Sequence, residues 1–128
     1  LQERLTRLIP LAPLHLPHNL AGIAAMRQAL PDVPHIACFD TAFHHGLSRL
    51  AQLVPLSREL REIGIRRYGF HGLSYEYVVD RLRRDGVDIE AERVVVAHLG
   101  NGASMCALHQ GRSVETTMGF STIGGLIM

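Results

Sequence analysis

The sequence predicts an α/β fold on three observations. Arg93-Val94-Val95-Val96-Ala97-His98 is a β-branched run suited to a buried strand, and Leu99-Gly100-Asn101-Gly102-Ala103-Ser104 follows it as a small-residue turn. His35-Ile36-Ala37-Cys38-Phe39 is a second short apolar run, and it ends on polar Asp40 as buried strands of α/β sheets do. Between these runs apolar residues recur at helical spacing.

Taken in order, Leu1, Leu5, Leu8 and Ile9 mark a helix that Pro10 ends. Residues 10–17 are then expected to be extended, because Pro10, Pro13 and Pro17 each lack a donor and push their predecessors out of helical geometry. From Asn19 the set Leu20, Ile23, Ala24 and Leu30 restores the helical period until Pro31. After the 35–39 strand come two mostly helical stretches, 45–53 and 57–63, and the loop Arg66-Arg67-Tyr68-Gly69-Phe70-His71-Gly72. A helix opens at Ser74, whose hydroxyl is placed to cap it, buries Tyr77, Val78 and Leu82, and closes at Gly86. The valine strand and its glycine turn, too short for a crossover helix, lead into Met105–His109, the Gln110-Gly111 turn and Arg112–Thr116, a hairpin meander.

Composition narrows the function. At 128 residues and 47% hydrophobic content the chain is the size of one domain with a core. Thirteen Lys and Arg against twelve Asp and Glu leave a formal charge of +1, so a nucleic-acid partner is not favoured. The two cysteines, Cys38 and Cys106, sit in apolar runs and are expected to be reduced core thiols, which suits a cytosol. The uncharged segment 9–26 is interrupted by three prolines and two histidines, so no membrane span is expected. Leu1–Leu5 has no Met start and no basic region before an apolar core, and the end, Gly124–Met128, is apolar without a polar tail. Both ends are expected to be cuts within a longer chain.

Five features are candidates for chemistry. A strand running into Gly100-Asn101-Gly102 can aim several backbone N–H groups into one space, a nest for phosphate oxygens, and it can equally be a plain tight turn. Asp40 can hold Mg²⁺, directly or through water, or position an acidic substrate; its bland alternative is to cap the next turn. His71, between Gly69 and Gly72, can donate a hydrogen bond to a developing phosphoryl charge or be merely structural. Arg66 and Arg67 are either a phosphate clamp or a solvated pair. Eight histidines raise the question of zinc hydrolysis through His15 and His18 or His44 and His45. No H-E-x-x-H or Cys/His quartet is present, and adjacent histidines on a helix face different ways.

Leu11-Ala12-Pro13-Leu14-His15, Phe39-Asp40-Thr41-Ala42-Phe43-His44, Arg66–Gly72, His98–Ser104 and Thr117-Met118-Gly119-Phe120, in that order, resemble the acetate kinase family over nearly the whole chain. The resemblance implies part of an actin/Hsp70/sugar-kinase (ribonuclease H-like) fold. Residues 1–44 would finish the first lobe, and residues 45–128 would form the helical connection and first strands of the nucleotide-binding second lobe. It also implies Mg²⁺-dependent interconversion of acetate and ATP with acetyl phosphate and ADP by a cytoplasmic homodimer. Asp40 resembles the active-site aspartate, for which positioning is the better role, because a carboxylate substrate has no proton to lose to a general base. His71 resembles the histidine that stabilises the transferring phosphoryl group, and His98, Leu99, Gly100, Asn101 and Gly102 resemble the ATP-phosphate loop. Leu14, His15 and Phe70 fall where the family lines its small acid pocket, with no direct metal ligand in the segment.

Where the family commonly reads Gly-Thr-Ser-His this chain has Gly72-Leu73-Ser74-Tyr75, a change expected to remove two polar side chains. His-Asn-Pro is here His15-Leu16-Pro17, and a proline that borders the acetate pocket is replaced by Thr122. The family's other arginines, metal-site residues and adenosine pocket lie outside these residues. The alternative expectation is therefore a truncated, non-catalytic phosphate-binding or interaction module.

Overall fold

The computed structural model describes residues 1–127 and divides into two units, residues 1–37 and the residues from Cys38 onward. In the first unit α1 (Gln2–Thr6) lies beside α2 (Leu16–Ala29). Leu5 is buried between them, and Arg27 Nη1 donates to Gln2 Oε1 at 2.9 Å. The proline-rich connection is not extended throughout: Ile9–Leu11 makes a 3₁₀ turn, and α2 begins three residues before Asn19 with Pro17 in its first turn. A proline there costs no hydrogen bond, since the first helical N–H groups have no intrahelical acceptor.

The run His35–Phe39 forms no strand. Ile36 is 86% exposed, Phe39 is 45% exposed, and Cys38, expected in the core, is exposed as well. An apolar run becomes a strand only when another backbone pairs with it, and no segment does so among the described residues.

In the second unit a 3₁₀ turn, Ala42–His44, is followed by two short helices, α3 (Arg49–Gln52) and α4 (Arg58–Glu62), each within a longer stretch expected to be helical. Helix α5 spans Gly72–Arg84, with Gly86 in the left-handed region just past its end, as helix termini favour. Its start differs from expectation, for His71 precedes the first helical residue and Ser74 is inside. Its buried face also differs: Tyr75 and Val79 are buried while Tyr77 is 66% exposed.

The meander forms as expected: β1 (Arg93–Leu99), β2 (Ala103–His109) and β3 (Arg112–Thr116) pair antiparallel in the order β1-β2-β3. The β2–β3 turn has positive φ at both central residues, Gln110 (53°) and Gly111 (68°), the backbone twist that suits a two-residue hairpin. Strand β1 is half-buried, with Val96 inside and Val95 61% exposed, because a pleated strand covered on one side alternates. Tyr75 and Val79 of α5 pack with Ile89 against Val96, Cys106 and Leu108. Burying each large side chain of this set contributes about 1.5–3 kcal/mol. The same packing holds the start of α5 against the β1–β2 turn.

Candidate functional site

Two turns meet in the second unit, the one that enters α5 and the glycine turn between β1 and β2. The first is pinned from outside. Tyr68 and Gly69 N–H both donate to the Gly119 carbonyl, at 3.0 and 3.1 Å, which ties the Arg66–Gly72 loop to the Thr117–Phe120 segment. Gly69 has φ +82°, and a Cβ there would lie 2.3 Å from His44 Cγ, so both conformation and space require glycine.

Asp40 anchors the helix entrance. Its Oδ2 accepts the His71 N–H at 2.5 Å, its Oδ1 accepts the Leu73 N–H at 3.3 Å, and its carbonyl accepts the Gly72 N–H at 3.0 Å. These amides belong to the N-terminal end of α5, where a negative charge is favoured and donors lack intrahelical acceptors. Asp40 thus caps an element 31 residues away in sequence and not the next turn, as the alternative expected, for the 3₁₀ turn that follows it has no side-chain cap. One product is the backbone of His71, held at φ 59°, a left-handed conformation that non-glycine residues seldom adopt.

That conformation turns the imidazole toward the glycine turn. His71 Nδ1 lies 2.7 Å from Ser104 Oγ, and a Cβ added to Gly102 would stand 2.8 Å from His71 Nε2. The His71 and His98 rings stack with centroids 4.1 Å apart, and His98 Nδ1 lies 2.9 Å from Ser74 Oγ. A Cβ on Gly100 would reach within 3.0 Å of His98 Nε2, while the turn closes through Gly100 N–H donating to the Gly102 carbonyl at 3.1 Å. Both glycines therefore let backbone approach an imidazole. Burial holds His71 below the ordinary value of 6.5, the neighbouring His98 pushes the same way, and Asp40 opposes them. Neutral His71 retains one N–H to donate.

The structure thus brings together Asp40, His71, His98, Gly100 and Gly102. Leu99 (75% exposed) and Asn101 are exposed on the same turn, and Phe70 is half-buried with its carbonyl bonded to His44 Nε2 at 2.9 Å. Leu14 and His15 are exposed residues of the first unit. Arg67 is engaged with Glu115 at 2.6 Å and the Thr116 carbonyl at 3.2 Å; Arg66 donates to Gln52 at 2.7 Å and lies over the Tyr68 ring. Both arginines have protein partners, so they are not the freely solvated pair that one reading expected.

Sequence reasoning gave Ser104 and Tyr75 no part in the site and Ser74 only a capping role. Ser104 is wholly buried, bonded to His71 and to the Tyr75 hydroxyl. Its signal was position: Ser104, Cys106 and Leu108 alternate on the inner face of β2, and a serine there needs a polar partner. The expected loss of two polar side chains at 73 and 75 is half corrected, because Tyr75 brings a hydroxyl that the core uses. His44, considered as half of a metal pair, is instead buried with both ring nitrogens bonded, while neighbouring His45 is exposed.

The model of the acetokinase family matches residues 1–128. An acetate kinase of Rhodopseudomonas palustris is 58% identical over 119 residues, which are 92% of this chain and 30% of that protein. A propionate kinase of Citrobacter rodentium is 55% identical over 124 residues, 95% of this chain and 31% of its own length. The crystal structure of acetate kinase from Entamoeba histolytica superposes with a TM-score of 0.89 at 34% identity, over 99% of this chain and 32% of that one. The chain therefore spans about a third of the length of the relatives it matches, and its helices and sheet reproduce an α/β part of the kinase fold. It belongs to the acetokinase family.

Proposed function

We propose that this chain carries part of the phosphoryl-transfer site of an ATP-dependent kinase for acetate or a related short-chain carboxylate. The observation that carries the reading is His71: Asp40 and Ser104 fix it, and its Nε2 faces Gly102 of the glycine turn. The acceptor's carboxylate oxygen forms a bond to the γ-phosphorus of ATP as the bond to the ADP oxygen breaks, giving acyl phosphate and ADP with no proton to remove. In that step the His98–Gly102 turn cradles phosphate, and His71 Nε2–H donates to an equatorial oxygen where charge accumulates. Asp40 acts by positioning, since both its oxygens already accept amide bonds.

Mg²⁺ is proposed to arrive with the nucleotide. Asp40 is the single carboxylate among these site residues, a donor set that fits no all-protein Mg²⁺ cage. Leu14, His15 and Phe70 are proposed for the acid pocket, whose size would separate acetate from propionate by about 1–3 kcal/mol per methylene. The wider proposal is an actin/Hsp70/sugar-kinase architecture with the lobe change just after His44, in a cytoplasmic homodimer. No helix among the described residues is long and apolar enough to cross a membrane.

The test is hydroxamate trapping of acyl phosphate by the full-length protein, with its intact mass verified, on acetate, propionate and butyrate. Turnover on at least one acid is expected, and inactivity on all three defeats the reading. A verified 128-residue product is expected to bind phosphate weakly without turnover.

A further inference from the structure

We infer that Ser104 and Tyr75 are positioning residues that set the tautomer of His71 and hold its proton on Nε2, facing the glycine turn. Tyr75, Ser104 and His71 form a buried chain of three groups in which each donor needs an acceptor. The hydroxyl of Tyr75, a residue with no exposed surface, has one hydrogen-bond partner among the described residues, Ser104 Oγ. A phenol has a single O–H, so a buried Tyr75 must donate it to Ser104 or leave it unpaired. Ser104 is also fully buried, and its remaining partner is His71 Nδ1 at 2.7 Å. With its oxygen accepting from Tyr75, the serine O–H is directed to Nδ1, which must then be the unprotonated nitrogen. A neutral imidazole carries its proton on the other nitrogen, so Nε2 is the donor.

The opposite tautomer breaks the chain. With an Nδ1–H the chain holds three donors and too few acceptors: either Ser104 accepts from both neighbours and its own O–H is stranded, or it turns onto Tyr75 and strands the phenolic proton, in each case a buried orphan donor. The core holds a parallel case whose direction is independently fixed. His44 Nε2 lies 2.9 Å from the Phe70 carbonyl, which can only accept, so His44 Nδ1 accepts from Ser113 Oγ at 2.8 Å, and Ser113 accepts in turn from Cys106 Sγ at 3.4 Å. Both relays run from a buried donor through a β-strand serine to a histidine Nδ1. In one the far N–H ends on a carbonyl; in the other it faces the glycine turn.

The catalytic consequence rests on the kinase reading, whereas the tautomer does not. Neutron diffraction from deuterium-exchanged crystals of the full-length protein at neutral pD is expected to show deuterium on His71 Nε2, with the Tyr75 and Ser104 deuterons directed along the chain toward Nδ1. Deuterium on Nδ1 would overturn the inference. In the trapping assay Ser104→Ala is expected to lower kcat about tenfold, the lower end of what losing an orienting partner costs, with little change in either KM. Ser104→Thr, which keeps the hydroxyl, should restore most of that loss, and Tyr75→Phe should lose less than Ser104→Ala. Ser104→Ala with undiminished kcat would remove the positioning role. A wild-type protein with the expected deuteron but no acyl phosphate would instead count against the kinase reading alone.

Discussion

His44 and His71 approach the same meander in similar ways. Each offers Nδ1 to a serine of that sheet, His44 to Ser113 on β3 and His71 to Ser104 on β2. They differ at the other nitrogen. His44 Nε2 is closed off by the Phe70 carbonyl in a site only 2% exposed, while His71 Nε2 has no protein partner among the described residues and faces Gly102. A histidine with both nitrogens satisfied inside a core can only hold structure together. One with a fixed ring and a spare N–H beside a glycine turn can meet a ligand, and the two roles follow from one bond more or less.

The contrast can be broken most forcefully at His44. His44→Ala should destabilise the fold by about 3–5 kcal/mol in urea unfolding, because it opens a cavity and leaves the buried Ser113 hydroxyl and Phe70 carbonyl short of partners. A loss below about 1 kcal/mol would deny His44 its structural role. Gly102→Ala comes next. Its Cβ would press on His71 Nε2 at 2.8 Å, so kcat should fall about tenfold or more while the unfolding midpoint hardly moves. A change confined to stability would place that contact outside the reaction.

Acid should expose the shared property of the two rings. Burial is the main cause that lowers both His44 and His71 below 6.5 in the folded state. The unfolded chain therefore takes up these protons first as pH falls. This stability is fully present above pH 6.5, declines as pH drops through it, and levels off below the folded-state values. Urea midpoints measured across that window should fall with acid, and His44→Gln should flatten the slope; a slope unchanged in that variant would assign it elsewhere. The smallest effect concerns the thiols. Exposed Cys38 should react with a thiol reagent in the native protein, whereas Cys106, buried and with its thiol pushed up by burial, should react only after unfolding. Two fast-reacting thiols among these residues would mean that the relay behind His44 is open.

Much of this was legible in the sequence where partners were close in sequence. The meander came through whole, because β1, β2 and β3 pair with neighbours across short turns, and glycine marked both turns. His35–Phe39 carried the same apolar signal and formed no strand, since pairing depends on a backbone that the pattern of the run does not contain. The site divided along the same line. Asp40, His71 and the glycine turn stood out as motifs, but the bond from Asp40 to the His71 amide and the Tyr75–Ser104–His71 chain join residues about thirty positions apart. Ser104 and Tyr75 look like ordinary strand and helix residues until α5 is packed against the sheet. The start of α5 was misplaced for a related reason: its cap is Asp40, from another segment, rather than the local Ser74.

On the proposed function, His71 Nε2 serves the transferring phosphoryl group while His44 serves only the fold. The most direct measurement is the kcat of acyl phosphate formation by full-length His71→Ala, with its urea midpoint taken on the same preparation. A loss of about 10²–10³ in kcat is expected, the cost of removing one donor aimed at developing charge, with a midpoint lowered by less than in His44→Ala, since only the Ser104 hydroxyl loses a partner. Wild-type turnover in that variant would contradict it.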